Sequence, residues 1–323
     1  MPRTSDGRTA GQALVETMVA HGIDRVFCVP GESFLGVLDA AHGRPELEVV
    51  ATRHEGGAGF MAVADARLTG RAGVAMVSRG PGATNVSIAV HTAQQDGVPL
   101  LLIVGQVERR DLGRGAFQEV DYALTFADMA KAVYAVHDPD RLAETFATAW
   151  HVANAGIPGP VVLVIPEDVS EAASAADLPP VFPFGTPGVS AEQIDAVAGL
   201  LEAARRPLLI AGPGINTGPG RAALGRLLER WQLPVAASSR QNDVLDNRDP
   251  HYAGQLSYAA PAALVERLKR ADLVLSIGGL LGDVTSQGYT FPAAPAPGQT
   301  LIQVLPDAVQ LGAIRRVDLP VVA

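Results

Sequence analysis

The sequence predicts an α/β protein: two doubly wound open sheets, mainly parallel, flanked by helices and joined by a Pro/Ala-rich linker. Three observations carry this. Short apolar runs alternate with helix-length amphipathic stretches along all 323 residues. Runs such as 72–78, 99–105 and 161–165 are apolar throughout, as a parallel sheet covered on both faces requires. The rhythm breaks at 171–188, where Ala, Pro and Gly crowd together, and then resumes.

Taken in order, residues 9–21 fit a helix with Leu14, Met18 and Val19 on one face. Residues 24–29 fit a strand ended by Pro30 and Gly31. Ser33 is placed to cap a second helix reaching about residue 42. A short strand at 47–51 and a helix at 54–69 follow, with Gly70 to end the helix. After strand 72–78, Pro81 occupies a first helical turn, where proline is tolerated, and that helix runs to about 95. Asp96-Gly97 is a turn signal before strand 99–105, and the longer loop 106–116 precedes a helix near 121–129. Strand 131–136, helix 138–155 and strand 161–165 complete the first unit. In the second, helices 191–204, 218–231 and 259–270 alternate with strands 207–212, 233–237, 273–278 and 300–305. Ligands of such sheets bind beyond the carboxyl ends of the strands. Pro30-Gly31, the 79–82 turn and Gly105-Gln106 all lie at that edge.

Composition removes several function classes. Lys and Arg number 25 against 34 Asp and Glu, a net charge of -9, which argues against nucleic acid or an anionic membrane as partner. No apolar run approaches the roughly 18–20 residues of a membrane helix. The polar start does not resemble a signal peptide. One cysteine, Cys28, excludes an intramolecular disulfide and a multi-cysteine metal site, and makes the cytoplasm the natural compartment. The seven histidines lack zinc-type spacing.

Four stretches carry possible chemistry. Glu55 opens a helix whose next turns are nearly all small, in Arg53-His54-Glu55-Gly56-Gly57-Ala58-Gly59; alone, it could simply complement the helix dipole. Ser78-Arg79-Gly80-Pro81-Gly82-Ala83-Thr84-Asn85 follows a buried strand and opens a helix, so its amides could approach a ligand, or it could be a tight turn. It matches neither a dinucleotide fingerprint nor a nucleotide P-loop. Val29-Pro30-Gly31-Glu32 follows another strand, and Phe117-Gln118-Glu119 follows the long loop.

In this order and spacing, these stretches resemble the thiamine diphosphate-dependent enzymes, above all the acetolactate synthase group. Gln12-Ala13-Leu14-Val15, Gly105-Gln106-Val107 and Ala116-Phe117-Gln118-Glu119 extend the match. The resemblance implies a pyrimidine-binding domain at 1–172, a linker at 173–188 and a middle α/β domain at 189–323. It implies thiamine diphosphate as cofactor, with Glu55 and Gln118 catalytic. Val29, Pro30, Gly31, Glu55, Ser78, Gly80, Gly82 and Asn85 would bind the cofactor, and Phe117 and Lys131 would line the substrate channel. A helix-borne glutamate at the aminopyrimidine ring nitrogen favours the imino tautomer of the exocyclic amine, which acts as base toward the thiazolium carbon. Arg79 departs from the synthase pattern, in which a small residue precedes the glycine-rich run.

The family's metal and diphosphate motif, Gly-Asp-Gly followed by a later asparagine, is not found. Gly282-Asp283 is followed by Val284, and no asparagine follows Asn247. Mg2+ is therefore expected through a C-terminal domain that is absent from this chain, leaving the chain inactive alone. The turn Gly212-Pro213-Gly214-Ile215-Asn216-Thr217-Gly218 and the stretch from Gly278 to Thr285 stand where some members hold FAD, but the aromatic and arginine of those members are missing. The resemblance implies a carboligase or decarboxylase for small-molecule 2-oxo acids, acting as a homodimer or homotetramer or with a separate chain carrying the diphosphate domain. The alternatives are a non-catalytic binding or regulatory homologue of the same fold and, more distantly, a nucleotide-dependent oxidoreductase using the Gly212 turn.

Overall fold

A computed structural model describes residues 7–185 and 187–323. The chain divides into two compact units, the first running through Phe184 and the second starting at Gly185.

In the first unit the elements are α1 (Ala10–Ala20), β1 (Arg25–Cys28), α2 (Leu35–Ala41), β2 (Glu48–Ala51), α3 (Glu55–Thr69), β3 (Gly73–Val77) and α4 (Pro81–Asp96). They continue with β4 (Leu100–Gln106), α5 (Tyr122–Thr125), β5 (Ala132–Ala135), α6 (Leu142–Asn154), β6 (Pro160–Pro166) and α7 (Glu167–Glu171). The sheet order is β2-β1-β3-β4-β6-β5, and every pairing is parallel. Successive strand residues feed opposite faces. Met76, Leu101 and Ile103 pack with Leu14, Met18 and Phe146 of α1 and α6. Val77, Leu102 and Val104 pack with Ala58, Ala62, Val86 and Ala89 of α3 and α4.

The small residues of α3 have a packing consequence. A Cβ on Gly59 would lie 2.5 Å from the Ala89 Cβ, so α3 and α4 touch almost backbone to backbone. A Cβ on Gly73 would fall 2.0 Å from the Ala62 carbonyl, which presses α3 equally hard onto β3. The helix ends follow the expected capping chemistry. Thr9 and Gln12 form a reciprocal capping box on α1. Gly70 ends α3 in the left-handed conformation at φ 72°.

Several expectations need correction. The edge strands β2 and β5 are not apolar throughout: β2 is largely exposed and β5 half-buried, because an edge strand has solvent beside it. Ser33 does not cap a helix. It lies inside a 3-10 turn, Glu32–Phe34, and its hydroxyl bonds Ser78 Oγ at 2.8 Å. The helix near 121–129 shrinks to the single turn α5, after which the buried Phe126 anchors the chain through turns. The first unit also reaches past residue 172. Asp140 accepts from the Ser174 hydroxyl (2.8 Å) and the Ala175 amide (2.9 Å), and Phe184 stacks on Trp150 at 4.7 Å.

The second unit comprises α8 (Ala191–Ala203), β7 (Pro207–Ala211), α9 (Gly218–Trp231), β8 (Val235–Ala237), β9 (Tyr252–Gln255), α10 (Ala262–Leu268), β10 (Leu273–Ile277), β11 (Thr300–Leu305) and β12 (Leu319–Val322). Its order, β12-β11-β10-β7-β8-β9, is again wholly parallel. The edge strands β9 and β12 escape sequence reasoning because Gly254 and Pro320 interrupt runs of only four residues.

Two glycine substitutions should act in opposite directions. Gly225 sits inside α9 with open space where a Cβ would go. Gly225→Ala should raise stability by about 1 kcal/mol through helix propensity. Gly73→Ala should lower it by about 1–3 kcal/mol through overpacking. Urea denaturation followed by circular dichroism measures both.

Candidate functional site

In the first sheet the strand order reverses between β1 and β3, which opens a crevice at their carboxyl ends. The turns after these strands meet there: a Cβ on Gly31 would sit 2.8 Å from the Ser78 Cβ. Val29 is half-buried and Pro30 exposed in the turn after β1. Glu55 opens α3 at the same edge. The Nδ1 of His54 accepts from the Gly56 amide at 3.0 Å and caps the helix that carries Glu55.

Asn85, on α4, donates from Nδ2 to Glu55 Oε2 at 3.0 Å. The other carboxylate oxygen, Oε1, lies 3.5 Å from where a Cβ on Gly82 would be. Ser78 and Val77 close in on the same point at 3.5 and 3.7 Å, so Gly82 packs at ordinary contact distance beside the carboxylate. The half-buried carboxylate beside Asn85 fits a hydrogen-bond donor or a protonated ring nitrogen.

The Gly80 backbone, at φ 59°, forms the floor of the glycine-rich turn. Its amide donates to the buried Tyr122 hydroxyl at 2.8 Å. Burial pushes the Tyr122 phenol up, against the Gly80 N–H and the nearby Arg79 charge. A Cβ on Gly80 would lie 2.7 Å from the Gln118 Cβ, so Gln118 packs directly on this turn. Gln118 itself has φ 64°, a left-handed backbone that costs a side-chain-bearing residue roughly 1–2 kcal/mol. The Glu119 amide closes the turn by donating to the Ala116 carbonyl at 3.0 Å. Phe117, at the turn's tip, is 77 % exposed.

The structure therefore brings Gly31, Glu55, Ser78, Gly80, Gly82, Asn85 and Gln118 to one strand-end edge. It does not bring Lys131 there. Lys131 precedes β5 at the opposite edge of the sheet, and its ammonium donates to the carbonyls of Ala155 (2.6 Å) and Ile157 (2.9 Å). Within this unit it ties down a loop; the sequence position alone concealed which edge it occupies. Arg79 gains a role that the sequence did not reveal. Its guanidinium pairs with Glu32 (2.7 Å) and Glu167 (3.4 Å), joining the ends of β1, β3 and β6. Burial pushes the Glu167 carboxyl up; Arg79 opposes this, and Glu171, Glu32 and Glu108 add to it. Among the described residues no group of three or more His, Cys, Asp and Glu is arranged to hold a metal ion.

Comparison with known proteins decides the family. The N-terminal TPP-binding domain of thiamine pyrophosphate enzymes matches residues 8–125, and the central domain of the same enzymes matches 194–323. The chain belongs to the thiamine pyrophosphate enzyme family. It is 33 % identical to an acetolactate synthase large subunit of Mycobacterium tuberculosis over 97 % of this chain and 51 % of that protein. It is 32 % identical to the acetolactate synthase large subunit of Corynebacterium glutamicum over 97 % of this chain and 50 % of that protein. A sulfoacetaldehyde acetyltransferase of Roseovarius nubinhibens is 31 % identical over 94 % of this chain and 50 % of its own length. The chain spans about half the length of the curated relatives it matches. The N-terminal match contains every residue gathered at the crevice.

In the central-domain unit, the glycine-rich turns after β7 and β10 have a packing explanation. A Cβ on Gly212 would lie 2.5 Å from the Gly278 carbonyl group, so the two turns touch through their backbones. Asn216 donates to Gln241 (2.9 Å) and Asp243 (2.8 Å), and Thr217 caps α9. FAD is not needed to account for these glycines.

Removing the Tyr122 hydroxyl isolates its contribution. Tyr122→Phe leaves the Gly80 amide buried without its partner and should cost about 1–3 kcal/mol, measured by denaturant unfolding.

Proposed function

We propose that the first unit is the pyrimidine half of a thiamine diphosphate site, and that the assembled enzyme is a carboligase or decarboxylase acting on 2-oxo acids. The observation that carries this reading is the Glu55 carboxylate, held by Asn85 at the start of α3 and packed beside Gly82. These residues suit the aminopyrimidine of the cofactor. When bound, thiamine diphosphate supplies a nucleophilic thiazolium carbon and the electron sink for decarboxylation.

The remaining roles belong to this chain. Glu55 holds a proton at the pyrimidine ring nitrogen, and Asn85 orients its carboxylate. Val29, Pro30, Gly31, Ser78, Gly80 and Gly82 line the crevice and let the backbone approach the ring. Gln118 lies beside the reacting groups, and Phe117 helps to exclude water from them. The first unit is the pyrimidine-binding domain and the second the middle domain. Mg2+ and the diphosphate are held by a further domain, in a homodimer or homotetramer or on a separate chain. The setting is the cytoplasm and the substrate a small 2-oxo acid. The names of the relatives, acetolactate synthase and an acetyltransferase, support a reaction that transfers a two-carbon acyl unit.

The test is hydrogen–deuterium exchange at the thiazolium carbon, with the chain assembled with a diphosphate-binding domain and Mg2+. Glu55→Gln should slow exchange by about 10²–10⁴-fold. A wild-type rate in this variant would overturn the assignment.

A further inference from the structure

Gln118 occupies a backbone conformation that its side chain disfavours. In the turn 116–119 it stands third, the position where a positive φ ordinarily selects glycine or asparagine. Something must hold it there. One candidate is the ring of contacts around Arg79, whose Nε reaches the Phe117 carbonyl only at 3.4 Å. The shorter contacts come from Glu119, which follows Gln118. Glu119 Oε1 accepts from the Gly113 amide at 2.6 Å, and Oε2 accepts from the Ala116 amide at 3.1 Å. The same residue's amide donates to the Ala116 carbonyl at 3.0 Å. Residues 116 and 119 are thus joined twice, and the carboxylate also draws in Gly113, whose own φ is 75°.

A two-oxygen acceptor is needed for this. Each oxygen takes one backbone N–H, and an amide side chain of the same size would present N–H₂ to one of them. The turn is anchored from outside as well. Gln106 donates to the Val120 carbonyl at 2.9 Å, and Gly80 backs onto Gln118 from below.

We propose that Glu119 is a positioning residue of the site: its carboxylate closes 113–119 into one preformed turn and keeps Gln118 in the left-handed conformation that seats it on the glycine-rich turn. The chemical consequence rests on the reading of Glu55 and Gln118 given above, whereas the closure of the turn does not. Glu119 touches neither substrate nor cofactor and acts through Gln118.

Two measurements test this. The first uses the chain alone, by backbone hydrogen exchange with mass spectrometry or NMR. Glu119→Gln should speed exchange of the Gly113 and Ala116 amides by about 10-fold, the loss expected for a charge-assisted hydrogen bond. The effect should shrink in Gln118→Gly/Glu119→Gln relative to Gln118→Gly, because glycine accepts the positive φ without a clamp. Wild-type exchange in Glu119→Gln, or an undiminished effect in the glycine background, would overturn the proposal. The second uses the assembled, Mg2+-loaded enzyme. Glu119→Gln should lower kcat about 10-fold while leaving exchange at the thiazolium carbon at the wild-type rate, since Glu55 is untouched. Unchanged kcat would refute the positioning role, as would slowed thiazolium exchange. If Glu55→Gln itself leaves thiazolium exchange unaltered, the functional reading fails while the amide result still decides whether the clamp exists.

Discussion

The hydrogen bond from the Gly80 amide to the buried Tyr122 hydroxyl joins the two segments on which the site depends. One is the turn between β3 and α4, which must expose backbone at the carboxyl end of the sheet. The other is the loop leading from β4 to α5, which carries Gln118. Each alone would be a surface loop free to drift. Tyr122 belongs to the core, where it stacks with Phe126 and packs beneath the sheet, so its hydroxyl is a fixed point. Because the acceptor is buried, opening this bond strands a donor in an apolar setting, and the two segments therefore move together or not at all. Gly80 is required on geometric grounds twice over, by its positive φ and by the Gln118 Cβ that occupies the place of its missing side chain.

A second constraint sets the distance between Glu55 and Asn85. They lie on different helices, and their 3.0 Å contact requires α3 and α4 to approach far more closely than helices faced with leucine could. Gly59 against Ala89 provides that approach. Such a seam buries little apolar area per residue, so its stability rests on contact density rather than on large side chains. The strands beneath compensate: β3, β4 and β6 are buried at every position. The wholly buried centre of the sheet permits a helix pair chosen for closeness rather than for bulk.

The sequence made the central part of this arrangement legible and the periphery not. Strands β3, β4 and β6 announce themselves because burial on both faces leaves uninterrupted apolar runs. Pro81 and Gly70 mark their helix ends by backbone chemistry that hardly depends on context. The edge strands β2, β5, β9 and β12 carry weaker signals, since one side meets solvent and the apolar demand is halved. At the site, Glu55, Gly80 and Gln118 were recognisable through motif order, but their convergence is a property of the sheet order and could not be counted from spacing. Lys131 shows the limit. A strand has two ends, and spacing does not say that Lys131 stands at the amino end of β5. Ser33 shows another: a hydroxyl near a helix start is a cap only if no competing partner is offered, and Ser78 offers one.

Arg79 illustrates how a departure in sequence can leave a backbone arrangement intact. The glycine-rich turn uses only the main chain of residue 79, whose amide donates to Ser33 Oγ at 3.2 Å. The side chain leaves the turn for Glu32 and Glu167, and its guanidinium is nearly buried between them. A buried guanidinium without partners would carry a heavy desolvation penalty. With one carboxylate from the turn after β1 and another from the end of β6, the charge is balanced by groups already at this edge. The balance also works in reverse. Burial, and then the charges of Glu171, Glu32 and Glu108, push the Glu167 carboxyl up, and Arg79 draws it down. The arginine thus holds together carboxylates from two strand ends at this edge.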